Sequence, residues 1–285
     1  MNAKGSFPPG WGVYVLLGLG CLVHIGLGLW AIRAQSPTFD EPLHLTAGKV
    51  YWMTGDYGLN GAHHPPLTSL WSALALGGEQ DALAADHALL REGDWRRPRH
   101  QYAMALEYLY SDGSGALADE RLARGRKMIL AASVLFLLVF YRVVAYWFGQ
   151  RAGLFAFFLA VWSPTFLAHG TLVTTDFLFM VFFFFSVVSL EEWSRKKTIS
   201  LALVAGLCMG LAFCSKYSAV SLLPLLLLVA KKGRWPSRIF WTQGLLGAAS
   251  ALLLILVIHR FHQFPVFWQG LLHTVQRVQA GRASF

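Results

Sequence analysis

A series of uninterrupted apolar runs limits what this chain can fold into: residues 11–32, 128–148, 152–167, 177–193, 199–213, 219–230 and 239–258. A bilayer core about 30 Å thick takes about 20 apolar residues of helix to cross, and lipid offers no partner to a bare backbone N–H or C=O. Because the runs are continuous rather than alternating, a membrane β-barrel is excluded. The expected fold is an all-α integral membrane protein with about seven transmembrane helices. A content of 55% hydrophobic and 14% charged residues belongs to that class and to no soluble one. The runs at 199–213 and 219–230 are short and cross only where neighbours or a thin bilayer accommodate them. The first run is longer than the apolar part of a signal peptide and reads as a retained helix.

A formal net charge of +9 raises the question of nucleic acid. The basic residues, however, sit in short clusters between apolar runs, where topology signals belong, so no nucleic-acid partner is expected. Arg195, Lys196 and Lys197 in one short loop, and Lys231, Lys232, Arg234 and Arg238 in another, place one side of the protein in the cytoplasm. Counting outward gives residues 1–33 as the N-terminus and first transmembrane helix, and 34–126 as a long extracytoplasmic loop with short amphipathic helices. Residues 127–259 then form a six-helix transmembrane region and 260–285 an extracytoplasmic tail. Arg121, Arg124, Arg126 and Lys127 lie on the outer side against this bias, which points to charges with a task. Cys21, Cys208 and Cys214 all fall in apolar stretches without ligand spacing and read as core residues.

The polar residues that punctuate the runs share the outer face. Asp40 and Glu41 follow the first span directly; carboxylates that close to lipid are costly unless hydrated or paired, which makes them a candidate general base or metal site. A glycine-rich segment then ends in His63-His64-Pro65-Pro66-Leu67, a shaped loop in which His64 is a candidate substrate-binding residue. The two histidines are adjacent rather than one helical turn apart, so no metal is expected; a metal held with Asp40 or Glu41 is the alternative. Asp176 opens another span, where it is either a helix cap or a functional carboxylate. Arg126 and Lys216 are cations at the same depth, suited to a phosphate at the interface or to snorkelling toward lipid headgroups.

In order, the chain carries Asp40-Glu41 after the first span, Thr54-Gly55-Asp56 with Asn60, His64-Pro65-Pro66-Leu67, Arg126 and Phe148-Gly149. Further on come Ser163-Pro164, Leu167-Ala168-His169-Gly170, Thr174-Thr175-Asp176, and Gly206 and Gly210 ahead of Ser215-Lys216-Tyr217-Ser218. This ordered set resembles the polyprenyl-phosphate-dependent glycosyltransferases of the GT-C fold, which include protein O-mannosyltransferases and the aminoarabinose transferase of lipid A. The resemblance implies transfer of a sugar from a polyprenyl-phosphate carrier to an acceptor hydroxyl, with inversion and without a cofactor, at the extracytoplasmic face of the plasma (inner) membrane. It implies Asp40 as catalytic base with Glu41 in support, Asp176 as a second acid facing the same cavity, and Arg126 or Arg124 on the carrier phosphate with Lys216 nearby. Family members run longer than this chain, and residues 281–285 resemble a family segment that precedes a further loop and span, so the resemblance implies either a fragment or a truncated member. A transporter or flippase of a lipid-linked substrate, or a non-catalytic membrane subunit, is the alternative. A transporter would show repeated halves and charges near the midplane, and the sequence has neither.

Overall fold

The computed structural model describes residues 10–77, 98–113, 115–232 and 237–280. Every regular element among them is helical and none is a strand. The order is α1 (Trp11–Ala34), α2 (Glu41–Thr54), α3 (Gly58–Gly61), α4 (Leu67–Ala73), α5 (Pro98–Leu109), α6 (Ala116–Phe148), α7 (Gln150–Val161) and α8 (Pro164–His169). Then come α9 (Thr175–Lys196), α10 (Ile199–Ser215), α11 (Leu223–Lys232), α12 (Ser237–Ile258) and α13 (Phe264–Gln279).

Among the described residues, four helices are long and apolar enough to cross a membrane: Trp11–Ala34, Ala116–Phe148, Thr175–Lys196 and Arg238–Ile258. The other expected spans correspond to the shorter apolar helices Gln150–Val161, Ile199–Ser215 and Tyr217–Leu228. The run expected at 152–167 is broken because Pro164 has no N–H to continue α7, while Ser163 starts α8 by accepting from Phe166 N. Asp176 lies in the first turn of the 22-residue α9 and Arg195 and Lys196 in its last turn, about 30 Å away at 1.5 Å per residue. That separates the acidic and basic groups by the thickness of a bilayer core. The side chains of Lys231 and Lys232, like Arg234 and residues 281–285, lie outside what is described, and Arg238 is exposed.

The membrane helices pack closely where side chains are smallest. A Cβ on Gly206 of α10 would stand 2.0 Å from the Gly247 carbonyl oxygen of α12, so only glycine lets these two backbones approach. Between α1 and α6 a buried hydrogen bond joins His24 Nε2 to Ser133 Oγ at 2.9 Å.

The sequence has an amphipathic stretch in the first loop around residues 43–51, and in the structure residues 41–51 of α2 are buried without interruption, His44, Thr46 and Lys49 included. The helix is a core element of a packed cap in which Leu45, Val50 and Tyr51 meet Met104, Tyr108, Leu122 and Phe177. Gly48 makes this possible, since a Cβ there would fall 1.9 Å from the Ser69 carbonyl oxygen of α4. Lys49 keeps its charge hydrogen-bonded by donating to the Leu76 carbonyl at 2.9 Å.

Candidate active site

Asp40 stands exposed at the start of α2, with its carboxylate accepting from Tyr102 Oη of α5 at 3.2 Å. Glu41, the next residue, points into the protein and has no exposed surface. Its Oε1 accepts from Arg126 Nε at 2.8 Å and from Val173 N at 3.0 Å. Its Oε2 accepts from Arg126 Nη2 at 2.6 Å, Thr38 N at 2.9 Å and Thr38 Oγ1 at 3.1 Å. Burial alone would raise the Glu41 pKa, but the Arg126 bonds, the Thr38 and Val173 amides and the guanidinium charge outweigh it and hold the group below the ordinary carboxylate range. Glu41 is thus an ionised clamp with no lone pair to spare.

Arg126 is equally committed. Its remaining donors reach the Ile32 carbonyl at 3.3 Å, Gln35 at 2.8 Å and Ser36 at 3.0 Å, which occupies all five guanidinium N–H groups. These carbonyls end α1 and otherwise have no intrahelical partner. On this geometry Arg126, the expected phosphate ligand, is buried, paired with Glu41 and without a free donor. Arg121 donates to the Tyr108 carbonyl and lies over its ring at 4.1 Å, and Arg124, the alternative phosphate ligand, pairs with Glu120 at 2.5 Å. Lys127 is exposed.

In the first turn of α9, Asp176 does not cap its helix; its Oδ1 accepts from Lys216 Nζ at 2.5 Å. Both side chains keep access to solvent, at 48% for Asp176 and 32% for Lys216. Lys216 ends α10 in an extended conformation, and Tyr217 beside it anchors that end by donating to the Gly61 carbonyl at 2.9 Å.

A pair of histidines lies between these groups. The His44 and His64 rings meet edge to face with centroids 4.9 Å apart. Nδ1 of His44 is 3.2 Å from Asn60 Nδ2 and 3.4 Å from Ser69 Oγ. Burial pushes His44 down to about 4, against the Asp176 charge and with that of Lys216. Burial likewise pushes His64 down to about 3, helped by His44 and opposed by Asp40. Both rings are neutral at physiological pH, so His64 offers a substrate hydrogen bonds rather than positive charge. Asn60 takes a left-handed φ of 63°, and its Oδ1 is buried without a partner among the described residues.

The fold thus gathers Asp40, His64, Asp176 and Lys216 and diverts Glu41 and Arg126 to structure. Sequence reasoning left out His44 and Tyr102, and named Asn60 only within a motif, without a role. His44 was within reach, one helical turn after Asp40 and so on the same face. Tyr102 carries no signal, since it arrives from 62 residues away. No group of three His, Cys, Asp or Glu arranged to hold a metal occurs among the described residues.

A family model described as dolichyl-phosphate-mannose-protein mannosyltransferase matches residues 113–259, more than half of the chain. The chain belongs to that family. No curated protein and no solved structure matches it. Family membership and the long apolar helices make it a membrane protein of a glycosyltransferase family. The matched segment contains Arg126, Asp176 and Lys216 of this mannosyltransferase-family chain; Asp40, Glu41 and His64 precede it.

Proposed function

We propose that the protein transfers a sugar from a polyprenyl-phosphate carrier to an acceptor hydroxyl at the extracytoplasmic end of its helices, in the plasma (inner) membrane. The observation that carries this reading is the convergence of an exposed carboxylate, Asp40, with the Asp176–Lys216 pair around two neutral histidines. Asp40 takes the acceptor's proton as its oxygen forms the new bond to the anomeric carbon, while the bond from that carbon to the carrier phosphate oxygen breaks. One displacement inverts the anomeric centre. The departing phosphate gains charge as the bond breaks, and Lys216 lies where a cation stabilises that charge more in the transition state than in the ground state. The neutral His64 and the unpartnered Asn60 oxygen suit uncharged sugar hydroxyls. Incubating membranes with radiolabelled polyprenyl-phosphate sugar tests the reading; absence of label on any acceptor from the full-length protein counts against it.

Lys216→Ala is expected to raise KM for the lipid-linked donor and lower turnover. A charge-assisted phosphate contact contributes about 1.5–3 kcal/mol, or about ten- to hundredfold in kcat/KM. Kinetics with a water-soluble short-chain donor decide this, and unchanged donor kinetics would place the phosphate elsewhere.

Seven crossings, the division at residues 33, 126 and 259, and the outward site form one topology. A cysteine at Ser111, which is exposed, is expected to react with an impermeant thiol reagent in intact cells. One at exposed Thr198, beside the buried Ser194, is expected to react only after permeabilisation. The reverse pattern inverts the topology.

A further inference from the structure

Asp40 occupies the N-cap of α2, yet its side chain makes no cap hydrogen bond. An N-cap acid ordinarily accepts from the N–H of the second or third helical residue. The second residue here is Pro42, which has no N–H, and Asp40 itself has helical dihedrals, φ −88° and ψ −22°, rather than extended ones. The carboxylate is therefore released from its own helix and is met by another. Tyr102 of α5 donates its hydroxyl to Oδ1 at 3.2 Å, and its ring packs against that of Phe39 with centroids 4.6 Å apart.

We propose that Tyr102 is a positioning residue for the base step: its hydroxyl holds Oδ1 of Asp40 and leaves Oδ2 as the oxygen that receives the acceptor's proton. The inference rests on the function proposed for Asp40 and adds a part for the loop helix α5. An exposed carboxylate rotates freely, and a base that rotates spends little time within reach of the acceptor. A hydrogen bond from outside its own helix, backed by a ring contact one residue earlier, restricts that rotation. The phenol remains a donor throughout the physiological range, because burial and the adjacent Asp40 charge push it up to about 12. Tyr102 touches neither sugar nor carrier in this arrangement, so its effect passes through Asp40 alone.

Tyr102→Phe in the full chain separates the hydroxyl from the ring, since phenylalanine keeps the contact with Phe39. The expected result is a fall of about ten- to hundredfold in kcat with donor KM and thermal stability unchanged. Tyr102→Ala is expected to lose stability as well. Infrared spectra of protein carrying labelled aspartate give a readout independent of turnover. The Asp40 carboxylate band, assigned by subtracting Asp40→Asn, is expected to move in Tyr102→Phe. Wild-type kcat and an unmoved band in Tyr102→Phe, with Asp40→Asn inactive, overturn the inference and leave the function standing. Loss of thermal stability in Tyr102→Phe makes the tyrosine structural and also overturns it. Wild-type transfer by Asp40→Asn removes both.

Discussion

Asp40→Asn is expected to reduce transfer by about 10²- to 10⁴-fold, the usual contribution of a positioned general base, while the protein still inserts and folds. The amide is nearly isosteric with the carboxylate, and its oxygen still accepts from Tyr102, so the contact to α5 survives. What it loses is the ability to take the acceptor's proton. Because Asp40 is exposed and makes no helix cap, little stability depends on it, and lost activity cannot be ascribed to unfolding. Initial rates and thermal unfolding measured on the same detergent-solubilised preparation decide the matter. Wild-type turnover in the variant sinks Asp40 as the base. Glu41 is no substitute, since both its oxygens are already engaged.

Arg126→Ala is expected to act in the opposite way, on stability before kinetics. Removing one partner of a buried ion pair typically costs about 3–5 kcal/mol, because the other charge is left buried and unpaired. Here the loss also frees three carbonyls at the end of α1. A lower unfolding temperature and poor accumulation in membranes are the expected readings, with donor KM unchanged in whatever remains folded. Arg126→Lys recovers only part, since an ammonium cannot make the paired contact to Glu41 together with those to the carbonyls. A raised donor KM at unchanged stability would return Arg126 to the phosphate. The same clamp implies a pH dependence. Glu41 is held below its ordinary value of 4.5, so the stability it contributes is fully present above that value. It is lost as pH falls through the lower folded value, and Arg126→Ala should abolish this acid-side loss.

How much of this protein is legible in its residues differs from element to element. The class is legible, because apolar runs as long as 11–32 and 239–258 have few alternatives to a membrane helix, and hydropathy is a local property. The expectation that Asp40, Asp176 and Lys216 share one face comes from counting runs and loop charges, which is again local. Pro164 announces the break in the third run, since a missing N–H acts within its own helix. The burial of α2 is different: nothing in Glu41–Thr54 says that its polar face is covered, because the cover comes from α4 and α5.

Charge made the site only half readable. Adjacent Asp40 and Glu41 are chemically near-equivalent in the sequence, and so are Arg126 and Lys216 as cations beside lipid. Which carboxylate stays free and which cation stays available depends on partners that are distant in the chain. Glu41 meets Arg126 85 residues away and Val173 132 away, while Lys216 meets Asp176 40 away. The sequence by itself determined a helical membrane protein with acidic, basic and histidine residues at one end. Only the tertiary structure decided that one carboxylate and one arginine hold α1, α6 and the segment before α9 together, and that Asp40 is left to Tyr102. The reason is physical: hydropathy and backbone capability act within a few residues, whereas the fate of a charge is set by whichever donors and acceptors the fold brings within hydrogen-bonding distance.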